Sequence, residues 1–387
     1  MNFFSLRPGV VFLFFALAPL ITLESCKNEE GDFTSGSFYP DLGEPSDTTG
    51  NDTTVVVENG CWEEPISIER AESFNALFTR FGGGWTGGDA TYSIPLPDGR
   101  NLWLFGDTFL GTVKADRSRP GTGLINNTFV VQDGEQLTTL YTGSAGNASA
   151  FVQPEEEGWW YWPGHGVARN DTLQVVLFGF KNTGGGAWGF EYTSIDIARF
   201  SLPDIRLLSI ERKVTAPTVN YGACIMEEDG FYYLYGAEKN GLLKYLHLAR
   251  VPVSEGLQGE WAYYDGTGWA SGPGQSARLF ANVSEQFSVF KHEGRFYLLT
   301  QHHILGGEIY LYRSEAPFGP FAEKTLVYCT PETEGNIFTY NAFAHTQFLD
   351  DGALLVSYNV NSFNFSDLFT NADNYRPYFV WVKGWDE

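Results

Sequence analysis

The apolar residues of this chain repeat one pattern five times. In each copy an apolar strand leads into a tight turn that contains an acidic residue or glycine, and a second apolar strand follows. Such a turn between two apolar runs predicts an antiparallel β-hairpin. The five predicted hairpins span residues 87–108, 163–181, 220–238, 284–302 and 340–359.

Alternating segments between the hairpins predict the outer strands. Third strands are predicted at residues 194–200, 245–251, 310–313 and 379–382. Residues 261–266 and 320–324 supply fourth strands. Because successive hairpins lie further apart than the roughly 40–50 residues of common propeller repeats, each blade should also hold a long loop. The predicted fold class is all-β, a five-bladed β-propeller with four-stranded blades around a central axis.

The chain divides into three predicted regions. Residues 1–25 have the charged start and apolar core of a signal peptide, and residues 23–26 resemble a bacterial lipobox. Cys26 is therefore the predicted lipidation site, with simple signal cleavage as the alternative. Residues 26–60 are polar and acidic, as in a flexible tether, and residues 61–387 form the propeller domain. Residues 27–30 resemble the export tag of surface lipoproteins in Bacteroidetes, so we expect an outer-membrane lipoprotein on the cell surface or the periplasmic face.

Two features concern closure of the ring. The segment 69–81 has some helical spacing but is short, and an outer strand that closes the ring is the alternative interpretation. Of the remaining cysteines, Cys224 lies in an inner strand and is expected to act as a small buried hydrophobe. A disulfide between Cys61 and Cys329 is one alternative, since closure brings the N-terminal segment towards the last blades.

Charge and composition restrict the partners. A net charge of −23 excludes nucleic acid, which requires a basic surface, and argues against a strongly acidic polymer. Aromatic residues make up 16% of the chain, which suits both packing between blades and stacking on sugars. We therefore expect a monomer whose partner is a neutral polysaccharide or oligosaccharide.

Antiparallel pairing places the start of each first strand and the end of each second strand at the same end of the ring. The polar residues predicted at this end are Asp89, Asp107, His165, Lys181, Glu238, Glu285, His302 and Asn359. An acid that opens an apolar strand near the axis is costly to bury unless it has a function. This concentration of polar groups predicts a ligand site.

Glycoside hydrolysis requires two carboxyl groups across the cleaved bond. We predict that Asp89 acts as base or nucleophile, that Glu285 is the general acid, and that Asp107 orients or tunes a neighbouring carboxyl group. The alternative for both aspartates is a structural role in capping strand turns. Residues predicted to bind sugar are His165, Trp160, Trp162, Tyr221, Glu238, His302 and Asn359.

Short motifs over residues 85–385 resemble the five-bladed propeller superfamily of glycoside hydrolases, which includes arabinanases and β-xylosidases. They are residues 106–109 (Gly-Asp-Thr-Phe), 249–252 followed by Trp261, and 313–321. The first of these is similar to a branch related to endo-acting D-arabinanases. The chain departs from the arabinanase pattern in blade two, where His165 stands in place of an acid.

The resemblance implies an axial calcium as an alternative, because related propellers hold one. The sequence itself contains no contiguous calcium-loop motif, so no metal ligands are predicted and no cofactor is required.

The leading hypothesis is a glycoside hydrolase that cleaves a neutral polysaccharide, with arabinan as the first candidate. The rival is a non-catalytic glycan-binding lipoprotein that feeds a transporter, which would need the aromatic residues but not Asp89 or Glu285. A polysaccharide lyase would use a base such as Tyr221 or His165, but it favours acidic substrates, against which the negative charge argues.

Overall fold

The computed structural model describes residues 66–80, 82–120, 123–144, 146–184, 189–240, 243–303 and 305–387. These residues form five antiparallel sheets, each a blade of a propeller, and one two-stranded ribbon. The predicted all-β, five-bladed β-propeller is confirmed. The predicted signal peptide, the lipidation site Cys26 and the tether lie outside the described residues. Within the described part, no helix is long and apolar enough to cross a membrane.

The described chain begins with strand β1 (Ser67–Arg70) and helix α1 (Glu72–Phe78), followed by blade I. The strands of blade I are β2 (Gly82–Pro95), β3 (Asn101–Val113), β4 (Gly123–Ile125), β5 (Thr128–Asp133) and β6 (Gln136–Leu140). Their order is β2-β3-β5-β6, with β4 paired to β3. The ribbon consists of β7 (Thr142–Ser144) and β8 (Asn147–Ser149).

Blades II and III repeat this plan with the predicted hairpin on the inside. The strands of blade II are β9 (Trp159–Arg169), β10 (Thr172–Asn182), β11 (Phe190–Ser201) and β12 (Arg206–Thr215). The strands of blade III are β13 (Cys224–Glu228), β14 (Phe231–Asn240), β15 (Leu243–Pro252), β16 (Ala262–Tyr264), β17 (Trp269–Ala270) and β18 (Phe280–Ala281). A 3₁₀ turn at Pro273–Gln275 lies between the last two.

Blades IV and V complete the ring. The strands of blade IV are β19 (Phe287–His292), β20 (Arg295–Gln301), β21 (Glu308–Ser314) and β22 (Ala322–Cys329). Those of blade V are β23 (Ile337–Ala344), β24 (Leu354–Ser362) and β25 (Pro377–Lys383), with β1 as the outermost strand. The remaining short elements are α2 (Asp367–Thr370) and 3₁₀ turns at Thr346–Phe348 and Ala372–Asn374. We call the end of the ring where the first strands begin the mouth.

The turns of the inner hairpins contain residues that adopt the left-handed backbone region. In three inner hairpins, both central turn residues have positive φ: 48° and 78° at Asp229–Gly230, 46° and 85° at Glu293–Gly294, and 45° and 72° at Asp351–Gly352. Two such residues in succession match the right-handed twist of the flanking strands.

The ring is closed by the N-terminal segment, because Ser67–Arg70 pairs antiparallel with Val380–Lys383. The alternative of a closing outer strand is thus confirmed for this stretch, while Glu72–Phe78 forms a helix. Phe78 of the helix is fully buried against Trp103 of blade I and Phe379 of blade V. A short helix suffices here because tertiary packing, rather than helix propensity, stabilises it.

The apolar core lies between the blades. Five large clusters of buried side chains each join two neighbouring blades, and one of these, between blades I and II, contains Tyr92, Ile94, Leu173 and Val175. Cys224 is free and buried, as expected. Cys329 is disulfide-bonded, and its expected partner Cys61 lies outside the described residues. This packing fixes the inner strands and the side chains at the mouth.

Candidate active site

Two carboxylates meet at the mouth of blade I. In the pairing of β2 with β3, Gly88 lies opposite Thr108 and Ala90 opposite Phe105, and the register shifts between them. Asp89 therefore faces the two residues Gly106 and Asp107. A side chain at position 106 would place its Cβ 2.6 Å from Asp89 Oδ1, so only glycine leaves room for the carboxylate.

Each carboxylate has its own hydrogen-bond donors. The Tyr340 hydroxyl donates to Asp89 Oδ2 at 2.8 Å. Trp162 Nε1 and Asn126 Nδ2 both donate to Asp107 Oδ1, at 2.7 and 3.2 Å. Asp107 Oδ2 has no hydrogen-bond partner among the described residues. One carboxylate oxygen of this pair is therefore left for a ligand.

Two further residues complete this environment. Tyr375 donates to the Asp107 carbonyl at 3.1 Å, and its hydroxyl also lies within hydrogen-bonding reach of the Asp89 carboxylate. Asn361 Nδ2 donates to the Tyr340 hydroxyl at 3.1 Å. Blade V thus supplies the groups that orient the acids of blade I.

The surroundings favour protonation of this pair. Both side chains are partly exposed, but protein surrounds their carboxyl groups, and this desolvation raises the pKa of Asp89 to about 7 and that of Asp107 to about 6. The nearby charge of Asp107 also raises the pKa of Asp89. The donors named above act in the opposite direction. Both carboxyl groups therefore keep their protons to a higher pH than an ordinary aspartate does.

The backbone after Asp89 is strained. Ala90 and Thr91 have φ values of 70° and 60°, in the left-handed region that costs a residue with a Cβ about 1–2 kcal/mol. Gln286 of blade IV donates to the Ala90 carbonyl, and Asn359 of blade V donates to Thr91 Oγ1 at 2.9 Å. Blades IV and V therefore hold the bend that directs Asp89 towards Asp107.

Bends at the same level occur in blades II and V. The register of β9 shifts in the stretch that contains Gly164, just after Trp162, and that of β23 shifts after Tyr340, where Asn341 has φ of 58°. A bulge of this kind re-aims the side chain beside it. The three bends bring Asp89, Trp162 and Tyr340 together.

An aromatic cluster lines the blade II side of the acids. The ring of Trp162 lies 4.5 Å from that of Phe180 and 5.3 Å from that of Phe190, and Trp160 lies 6.0 Å from Phe180. All four rings are partly exposed. Trp160 and Trp162, predicted to bind sugar, therefore lie beside the carboxylate pair.

The other predicted acids lie in a different network. Lys244, which is almost fully buried, forms an ion pair with Glu285, and Asn220 Nδ2 donates to Glu285 Oε1 at 2.9 Å. Arg278 and His247 both contact Glu238, and the hydrogen bond from Arg278 lowers its pKa to about 2. Neither glutamate contacts Asp89 or Asp107.

Three further predicted ligands are engaged elsewhere. His165 accepts from the Ile225 amide at Nδ1 and contacts the Ser93 carbonyl through Nε2, which fixes its tautomer, and burial lowers its pKa to about 4. Tyr221 is buried, and His302 pairs with Glu308 at 3.4 Å.

Asn359 is fully buried, so it supports the bend after Asp89 from below the surface. Of the predicted set, the structure brings together Asp89, Asp107, Trp160 and Trp162, with Asn359 beneath them.

Sequence reasoning missed Tyr340, Tyr375, Asn126 and Asn361. Tyr340 had a positional signal, because it opens the fifth hairpin as Asp89 does the first. Tyr375 lies in the connection between β24 and β25, outside the repeat, so no sequence pattern marked it.

The axial cavity offers few anionic ligands for the calcium that the resemblance implies. All five innermost strands line this cavity of about 410 Å³. The described lining offers one carboxylate, Glu227, which pairs with Arg169 at 3.1 Å, whereas calcium takes six to eight oxygen ligands. One group within the described chain has metal-ligand spacing, His292, Glu293 and Asp386, and it lies at the opposite end from the mouth.

Residues 71–385 match the family described as "Domain of unknown function (DUF5005)", and the chain belongs to that family. No curated protein sequence matches the chain. A crystal structure from Bacteroides ovatus, whose description gives it a provisional hydrolase assignment, is 25% identical with a TM-score of 0.74, over 86% of this chain and 94% of that one.

More distant structural likenesses share the fold alone. An α-L-arabinofuranosidase from Podospora anserina is 11% identical with a TM-score of 0.44, over 79% of this chain and 94% of that one. A family 43 glycoside hydrolase of the Bacteroides ovatus xyloglucan locus is 12% identical with a TM-score of 0.44, over 76% of this chain and 51% of that one.

Proposed function

We propose that this member of the family is a glycoside hydrolase that cleaves a neutral polysaccharide. The observation that carries the proposal is the pair formed by Asp89 and Asp107 at the mouth, where protein surrounds both carboxyl groups and no cation contacts either carboxylate in the described part of the chain. This desolvation raises the pKa of each carboxyl group. Such a pair supplies the acid and the nucleophile or base that glycoside cleavage requires. The provisional hydrolase assignment of the 25% identical structure is consistent with this chemistry.

The assignment of roles follows the hydrogen bonds. Asp89 has the higher pKa of the free pair, about 7 against about 6, so a nucleophilic role for it requires the proton to pass to Asp107 when substrate binds. The hydrogen bond from Tyr340 favours the Asp89 carboxylate that this transfer leaves, which suits a nucleophile. Asp107 has a free Oδ2 from which a proton can reach the leaving oxygen. We therefore propose Asp107 as the general acid instead of the predicted Glu285, because the Glu285 carboxylate already contacts Lys244 and Asn220.

The spacing favours retention of configuration. Asp107 lies close enough to the Asp89 carboxyl group for its charge to raise the pKa of Asp89, which suits the roughly 5–5.5 Å between carboxyl groups of retaining enzymes better than the roughly 6.5–9.5 Å of inverting ones. Asp107 protonates the glycosidic oxygen as Asp89 bonds to the anomeric carbon and the leaving sugar departs. Asp107 then takes a proton from water, whose oxygen displaces Asp89 and frees the second sugar.

The substrate is proposed to be uncharged because the chain carries a net charge of −23 and the exposed rings beside the acids suit stacking on sugar faces. Arabinan is the first polymer to test, on the resemblance of residues 106–109.

The test is product release from arabinans, xylans and galactans by wild-type protein and Asp89→Asn, with the anomer followed by NMR. We expect one polymer to be cleaved with retention and the variant to be inactive but folded. Binding without cleavage by both proteins would instead identify a glycan-capture protein.

We also propose that the protein is an outer-membrane lipoprotein attached through Cys26, on the lipobox-like residues 23–26. Cys26→Ser should abolish labelling with a radioactive fatty acid in the producing cells. Equal labelling of both proteins would contradict attachment at this residue.

A further inference from the structure

Two exposed phenylalanines stand on the connection between β24 and β25. Phe363 and Phe365 are 60% and 55% exposed. The other large hydrophobic side chains exposed in the described part of the chain are Leu124, Leu207 and Leu208. Exposed aromatic rings that form a patch mark binding surfaces more often than isolated exposed side chains do.

The connection is held firmly. Arg119 is fully buried, and its Nη1 donates to the Leu368 carbonyl at 2.6 Å while its Nη2 donates to the Ala372 carbonyl at 3.3 Å. Arg117 makes a two-point contact with Asp373, with Nη2 at 2.8 Å from Oδ1. Two arginines of blade I thus anchor this segment of blade V, so a slack loop does not account for the exposed rings.

Each exposed ring packs against a buried phenylalanine, which packs in turn against a tyrosine that contacts the acids. Phe363 lies 4.5 Å from Phe338, which lies 5.5 Å from Tyr340, the residue that donates to Asp89. The buried ring of Phe338 therefore links Phe363 to the tyrosine that contacts Asp89.

The second ring reaches the other acid. Phe365 lies 6.2 Å from Phe109, whose ring lies 5.3 Å from that of Tyr375, the donor to the Asp107 carbonyl. Leu124 is the cross-strand neighbour of Phe109 and adds a third exposed apolar side chain. We call Phe363 and Phe365 the blade V patch.

We propose that Phe363 and Phe365 form a subsite for sugar units of a neutral glycan chain next to the linkage that is cleaved. The inference rests on the proposed function and adds a second aromatic wall, separate from Trp160 and Trp162. Exposed Asn364 and Ser366 alternate with the two rings, and hydrogen bonds from Ser366 to Asn364 and from Asn364 to Asp367 hold this stretch in place. Residues 362–375 contain no lysine or arginine, so the segment lacks the basic residues that bind an anionic membrane.

The test measures binding in an inactive background. Gel retardation in arabinan, xylan and galactan compares two proteins. One carries Asp89→Asn alone, and the other carries Asp89→Asn together with Phe363→Ala and Phe365→Ala. In the polymer that the protein binds, we expect the triple variant to bind about tenfold more weakly than Asp89→Asn, because it lacks two aromatic contacts with the sugar. Leu207→Ala with Leu208→Ala is the matched control, because these exposed leucines lie on the outer strand β12, and it should bind normally. Phe363→Tyr with Phe365→Tyr should restore binding.

The outcomes separate the two proposals. Retention that is equal with and without the phenylalanines overturns the subsite and leaves the hydrolase intact. Absence of retention and of cleavage for wild-type protein on every polymer overturns both. Two results with unchanged glycan binding would also overturn the subsite. Binding to phosphatidylglycerol vesicles that the Phe363→Ala and Phe365→Ala changes abolish would assign the patch to a membrane. A dimer that the same changes dissociate would assign it to a second copy of the chain. In the active background, an increase in KM for polymer alone, with turnover of a small aryl glycoside unchanged, supports it.

Discussion

Two groups of acids at the same mouth differ in their partners. Glu238 and Glu285 each contact a cationic side chain, Arg278 and Lys244. Asp89 and Asp107 contact phenol, indole and amide donors instead. The hydrogen bond from Arg278 lowers the pKa of Glu238, whereas burial without a cation raises the pKa of Asp89 and of Asp107. Under the proposed roles, the partners of an acid rather than its position at the mouth distinguish a catalytic carboxyl group from a structural one.

The largest effect is expected for loss of the proton donor. Asp107→Ala should lower turnover of polymer by about 10²–10⁴-fold, the usual contribution of a general acid. Azide should restore turnover of an activated aryl glycoside and yield a glycosyl azide of retained configuration, because a small anion can attack the intermediate without base assistance. Glu285→Ala should show no azide effect, and rescue in that variant instead would reverse the comparison.

A smaller effect is expected at Tyr340. Tyr340→Phe removes a donor to the Asp89 carboxylate, so the pKa of Asp89 should rise further and the acidic limb of the kcat/KM profile should move to higher pH. We expect turnover at the optimum to fall about tenfold, as for loss of one hydrogen bond to a charged group. An unchanged acidic limb would show that Asp89 does not set it.

The free energy of unfolding should depend on pH in opposite directions for Asp89 and for Glu238. The folded-state pKa of Asp89, about 7, lies above its ordinary value of 3.8, so its stabilisation is complete below pH 3.8 and is lost as the pH rises through 7. At pH 7.5, Asp89→Asn should therefore raise the free energy of unfolding, by about 1–3 kcal/mol.

Glu238 is the counterpart. Its folded pKa of about 2 lies below the ordinary 4.5, so its stabilisation is present above pH 4.5 and is lost as the pH falls towards 2. Glu238→Gln should slightly lower the stability at pH 7.5. Urea unfolding of both variants measures these signs, and a destabilised Asp89→Asn would contradict the account.

The smallest effect concerns the bend after Asp89. Ala90→Gly should leave stability unchanged or raise it by up to about 1 kcal/mol, because glycine adopts φ of 70° without strain. Ala322→Gly, on the exposed strand β22, should cost about 0.5–1 kcal/mol as glycine normally does in a strand. Thermal unfolding compares the two, and equal losses would mean that the bend is not strained.

The sequence predicted the ring better than the site. Each inner hairpin needs only local alternation and a turn such as Asp229–Gly230, so the blades could be assigned from the chain alone. Asp89 and Asp107 were also within reach, since they lie across one hairpin. Glu285 could not be judged in this way, because its partner Lys244 comes from a strand of another blade. Tyr375 lies in an irregular connection anchored by Arg119, and only the folded ring shows its contact with Asp107.

The most direct test of the central claim compares kcat/KM of Asp107→Asn and Glu285→Gln on the polymer that the wild-type protein cleaves. Both changes remove one carboxylate and keep the shape of the side chain. We predict a loss of at least about 100-fold for Asp107→Asn and of less than about tenfold for Glu285→Gln. The reverse order would return the acid role to Glu285 and contradict the pairing of Asp89 with Asp107 as the catalytic carboxylates.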